Sequence, residues 1–207
     1  MCHFTRLFCI FLALATLSPP SVQAEVRKWR VEHYLQPSAA AGVGKFCYVI
    51  TDGAAGQLLD QPIAGFAWQW GTVYQITVSV EQARTADGTV VKSYKLISVD
   101  SQTAVPEGTR FQMFLFDRKF IQGETLLGVK SFKCANSAVE NELKRRLDNL
   151  AASGAAIPGA APANGAGKTP QLRAESGRVL LEFSHPKAPS EPLILHSVTG
   201  ASDLGLE

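Results

Sequence analysis

The chain has little that would announce a chemical activity. Four cysteines and four histidines are spread over 207 residues. No two histidines stand at the H-x-x-x-H spacing that sets two imidazoles on one helix face for a metal. There is no G-x-S-x-G sequence to raise a serine on a strand–turn–helix elbow, and no glycine-rich loop follows a strand to cradle phosphate. Charge of one sign is missing too, because 20 Lys and Arg against 18 Asp and Glu leave only +2. Short basic clusters at Arg27, Lys28 and Arg30 and at Lys144, Arg145 and Arg146 are interleaved with acidic or apolar residues. They read as solvated faces, so no nucleic-acid partner is expected. The motifs thus point to no catalytic residue, no metal and no cofactor.

Long hydrophobic runs are absent except at the N-terminus. There Arg6 precedes the apolar stretch Leu7–Leu17, Pro19 and Pro20 break it, and Val22-Gln23-Ala24 puts small residues at −3 and −1 of a cleavage site. Residues 1–24 therefore read as a secretory signal peptide cleaved after Ala24. The run falls short of the ~20 residues a bilayer-spanning helix needs, so no membrane span is expected in the mature chain. Cys9 lacks the surroundings of a lipoprotein cleavage site. Export to the periplasm or the medium leaves Cys47 and Cys134 as the mature cysteines. In an oxidising compartment the pair is expected to form a disulfide closing a long loop, worth on the order of 4 kcal/mol.

What is present is β pattern. Phe66, Trp68, Trp70, Tyr74, Ile76, Val78 and Val80 fall on even positions with smaller or polar residues between them, the period of a strand with one buried face. Gly71 is the expected bend. Thr85-Ala86-Asp87-Gly88-Thr89 is a hairpin signal, and Arg110–Phe116, apolar on both faces, reads as a central strand. Ser137-Ala138-Val139-Glu140 resembles a capping box opening a helix over 137–152, with Val139, Leu143, Leu147 and Leu150 as its apolar stripe. Residues 154–170 form an Ala/Gly/Pro linker. The tail 171–207 has strand character at Arg178–Phe183 and Leu193–Val198, enough for a short appended hairpin or a segment ordered by a partner. The expected fold is mainly β: a domain over 25–153 built as a small antiparallel barrel or curled sheet, oligonucleotide/oligosaccharide-binding-like in one variant, with one C-terminal helix.

Trp68 and Trp70 share parity with Tyr74, Ile76 and Val78, which marks a core stripe. The same three aromatics, Trp68, Trp70 and Tyr74, are the candidate ligand-binding residues if their faces reach the rim of the sheet. The mature histidines are His33, His185 and His196. The last two could meet across a tail hairpin, though a solvated pair is the plainer expectation. Asp52, Asp60, Asp87, Asp100 and Asp117 stand in turns or at strand ends, where a carboxylate caps backbone groups.

One stretch resembles a known family. Phe46-Cys47-Tyr48-Val49, then Ile63-Ala64-Gly65-Phe66, Gly71, Tyr74, Ile76-x-Val78, Asp87-Gly88 and Tyr94-x-Leu96 stand in the order of the exported bacterial domain of unknown function 4377, often found beside META domains. The resemblance covers about a quarter of the chain. It implies export and a compact β fold, and transfers no catalytic residue. The functional expectation is a non-enzymatic accessory or binding protein of the cell envelope, its partner an unidentified protein or envelope component. The alternatives are a small exported hydrolase using turn carboxylates or His33, and an inhibitor or stress factor that masks a surface.

Overall fold

The computed structural model describes residues 23–38, 45–53, 55–85, 87–152, 179–200 and 203. The expected signal peptide and the 154–170 linker fall outside them, apart from Gln23 and Ala24. The first sheet is built from β1 (Gln23–Pro37), β2 (Phe46–Asp52), β3 (Ala55–Leu59), β4 (Ile63–Ala64), β5 (Thr72–Arg84) and β6 (Val90–Ala104). Its spatial order is β3-β2-β1-β5-β6-β4. The second comprises β7 (Arg110–Leu115), β8 (Ile121–Gln122), β9 (Thr125–Leu126), β10 (Lys130–Cys134), β11 (Val179–Ser184) and β12 (Leu193–Gly200), in the order β7-β11-β12-β10-β9-β8. One helix, α1 (Ser137–Ala152), lies between β10 and β11 in the chain and packs on β12. The fold is mainly β, with curled sheets.

Period-two burial explains the first sheet. β1 turns its odd residues inward and β5 its even ones, and the antiparallel register pairs Trp29 with Ile76 and Val31 with Tyr74 on one face. Loop residues Phe66 and Trp68 close over this core. The parity of Phe66, Trp68 and Trp70 holds, but 66–71 is an irregular connector rather than strand. Gly71, at φ +77, makes the bend into β5, a conformation glycine adopts without steric cost. The Asp87-Gly88 turn joins β5 to β6, with Gly88 at φ +86.

The second sheet corrects four expectations. The tail is no appendage: β11 and β12 do form a hairpin, but it lies between β7 and β10, and Leu181, Phe183, Leu193 and Leu195 are wholly buried. The β domain therefore does not end at 153. Among the described residues β7 is an edge strand and not a central one, because β11 takes only one of its sides. Its other side meets β1, where the Gln36 side chain donates to Gln112 O and accepts from Phe114 N–H at 3.2 Å. That amide replaces a neighbouring strand, and Phe114 and Phe116 stay half-buried. β10 and β12 run parallel, so the sheet is mixed. Finally, the helix is capped by Asn136, whose Oδ1 accepts from Val139 N–H at 3.0 Å. Asn136, one residue before Ser137, is thus the cap, and the Glu140 N–H that the capping box would give to the Ser137 hydroxyl goes to Asn136 O at 3.2 Å. The Glu140–Lys144 and Glu142–Arg146 pairs form as expected, each at 2.7 Å.

The disulfide is also corrected. Cys47 and Cys134 are both free thiols. Cys47 is buried on β2 of the first sheet beside Ser38, and Cys134 ends β10 in the second. Burial pushes both thiols above the usual range, the setting of an inert structural cysteine.

Candidate functional site

Polar groups converge where the two sheets meet, and a bulge in β1 starts the arrangement. Val31 pairs with Ile50 and Leu35 with Tyr48, so four steps along β1 face two along β2. The surplus falls at Glu32–Tyr34 and re-aims those side chains. Its carbonyls find donors: Trp68 Nε1–H donates to Glu32 O at 2.9 Å, and Gly71 N–H donates to His33 O at 2.9 Å. The aromatic loop therefore fixes the bulge.

From the other side comes His185, just past β11. Its N–H donates to Thr109 O at 3.1 Å and its C=O accepts from Gly108 N–H at 3.0 Å. The turn before β7 clamps it. His185 Nε2 and His33 Nδ1 then meet at 2.7 Å, with the residues 3% and 9% exposed. A ring of aromatics encloses them. Phe111 lies 4.8 Å from His185 and 5.9 Å from His33, Tyr34 stacks on Phe111 at 5.1 Å, and Trp70 packs against Phe111 and Trp68.

The electrostatics favour neutral imidazoles. Burial lowers the His33 pKa, with Glu32 opposing and Arg30 adding to the shift. Burial, His33 and Lys130 push His185 down to about 4. One ring must then donate N–H to the other. The amine of Lys130, itself buried and lowered by burial, donates to Glu191 O at 2.7 Å and to Pro189 O, tying β10 to the loop after His185. Among the described residues no third His, Cys, Asp or Glu joins the pair to make a metal site.

The sequence candidates are placed as follows. Trp70 and Tyr74 are buried and offer no open stacking face, while Trp68 is half-buried, packed against both cores with its N–H engaged. His185 and His196 do not pair. His196 instead meets Ser184 Oγ through Nε2 at 2.8 Å. That is a nucleophile–base distance, but Ser184 is 3% exposed and no carboxylate among the described residues orients the histidine. Asp87 and Asp117 cap as expected, accepting from Thr89 N–H at 3.1 Å and Lys119 N–H at 2.8 Å. Asp100 does not: it lies within β6 and accepts from the hydroxyls of Thr77 and Ser98, with no backbone group capped. Asp52 pairs with Arg27 at 2.9 Å.

The His33–His185 pair was missed from sequence. Half the signal was available, because His33 shares odd parity with Trp29, Val31 and Leu35. His185 follows a strand whose place in the fold no local pattern reveals. No family model matches the chain, and no curated protein or solved structure matches it. No helix among the described residues is long and apolar enough to cross a membrane.

Proposed function

We propose that the chain is an exported, non-enzymatic accessory protein of the cell envelope that binds an extended segment of a partner protein along β6. The signal-like residues 1–24 and the resemblance to domain of unknown function 4377 support export. Cleavage after Ala24 would remove only Gln23 and Ala24 from β1, leaving the pairing from Glu25 to Val31 intact.

One observation carries the binding reading. β6 is a 15-residue strand whose outer side is paired, among the described residues, only at Tyr94 and Lys95 by β4. Beyond them Ile97 and Val99 are 54% and 44% exposed. A free strand edge offers unpaired N–H and C=O groups to an incoming peptide, with exposed side chains adding selectivity. Bulges near Ile97 and Asp100 disfavour flat pairing with another rigid sheet. A short flexible segment can follow them.

The test has two readings. N-terminal sequencing after expression in a bacterium should find Glu25 first, in the periplasm or medium. A display library of extended ten-residue peptides should yield binders that the Ile97→Lys/Val99→Lys variant loses by roughly tenfold or more, about 1.4 kcal/mol per factor of ten. An uncleaved chain retained in the cytoplasm, or binders indifferent to both lysines, contradicts the proposal.

A further inference from the structure

We propose that His33 and His185 form an acid-opened latch between the two sheets, and that its opening uncovers the aromatic cluster of Trp68, Trp70 and Phe111. This goes beyond the β6 reading and stands independently of it.

The geometry makes the junction sensitive to protons. Two ring nitrogens 2.7 Å apart have room for one hydrogen between them. In the neutral pair that hydrogen belongs to one imidazole and points at the lone pair of the other. A first added proton can sit on an outward-facing nitrogen without breaking the contact, but it places a cation in a site lined by Phe111, Tyr34 and Gly71. A second proton sets N–H against N–H. The rings must then part.

Charges around the pair do not relieve this. From β1 come Glu32, which favours a cation on His33, and Arg30, which opposes it. From β10 comes Lys130, opposing a cation on His185, with Glu191 acting on Lys130. No carboxylate accepts a hydrogen bond from either imidazole among the described residues. Burial lowers both histidines below their usual value near 6.5, His185 to about 4. The open state, with water around both rings, takes protons at the ordinary value. Protons therefore bind the open state more tightly. The closed junction is fully favoured above pH ~6.5 and loses that advantage as pH falls toward ~4.

Among the described residues few direct hydrogen bonds hold the junction besides the latch. Gln36 bridges to β7, Trp68 and Gly71 hold the β1 bulge, and the rest is aromatic packing. The first core is built on the first sheet, while the second is centred on β7, β10, β11, β12 and α1 and also takes in Leu35 and Trp70, with Tyr48 and Trp68 touching both cores. Parting the rings would loosen this shared aromatic seam while the strand pairing within each sheet is kept.

The experiment follows tryptophan emission, acrylamide quenching and histidine ring NMR signals from pH 7.5 to 4, in a Trp29→Phe background. Trp29 Nε1 has no partner, so phenylalanine there removes a distant fluorophore without breaking a hydrogen bond. The expected result is a red shift and greater quenching of Trp68 and Trp70 below pH 6.5, with a pH slope steeper than one proton. His33 and His185 should titrate in the same step, far-UV circular dichroism should be retained, and His33→Gln/His185→Gln should lack the step. Titration of both histidines with no change at the tryptophans overturns the proposal. So does persistence of the step in the double variant, or global unfolding without a separate earlier step. Should the double variant fail to fold, coincidence or separation of histidine titration and tryptophan exposure in the Trp29→Phe protein decides alone.

Discussion

Gly71 shows how much a single position can carry. It holds a positive φ, its N–H serves His33 O, its C=O accepts from Val105 N–H at 2.8 Å, and a Cβ there would sit 3.4 Å from His185 Nδ1. Gly71→Ala should cost roughly 1–3 kcal/mol in urea unfolding, from left-handed strain plus crowding of the imidazole; a change under a few tenths would show that the bend tolerates a side chain. The cysteines give a second prediction at this scale. Unfolded in iodoacetamide without reductant, the chain from Glu25 onward should gain label on both Cys47 and Cys134, whereas a bridged pair would gain none. Sequence reasoning did well at residues governed by the strand period, such as Ile76 and Val78. It failed at the cysteines, because two thiols in an exported chain say nothing about which sheet each will join.

Strands and the helix were legible where their determinants are local. The β5–β6 hairpin follows from alternation and an Asp-Gly turn, and α1 from its stripe and i,i+4 pairs. The helix bounds match the expected 137–152, but the cap lies one residue earlier, at Asn136; Asn136 and Ser137 are both good caps and only the chain's approach decides between them. Asn136→Ala should therefore cost about 1 kcal/mol, while Ser137→Ala should leave thermal unfolding nearly unchanged. Equal effects, or the reverse order, would restore the capping box. β7 was misplaced for a different reason: apolar residues on both faces identify burial, not a neighbour on each edge. The covering here comes from a glutamine side chain.

The whole molecule is where local reading ran out. An Ala/Gly/Pro stretch looks like a boundary, yet the chain beyond it returns to supply the middle strands of the second sheet. Nothing between 171 and 207 encodes that pairing within itself, because β11 and β12 bury their apolar residues against β7, β10 and α1. Phe183 belongs to that core with no exposed surface. Phe183→Ala should cost about 3–5 kcal/mol and destabilise Phe111 and Phe132, its ring neighbours, whereas in a loose appendage it would cost almost nothing.

Amide hydrogen exchange across Val179–Val198 in the isolated protein at neutral pH tests this integration most directly. Amides of the buried residues Leu181, Phe183 and Leu195 should exchange as slowly as those of Ile76 and Val78, through the largest opening the molecule undergoes. Exchange at the rate of an unstructured peptide, with β5 still protected, would detach the segment from the sheet and remove the His33–His185 junction with it.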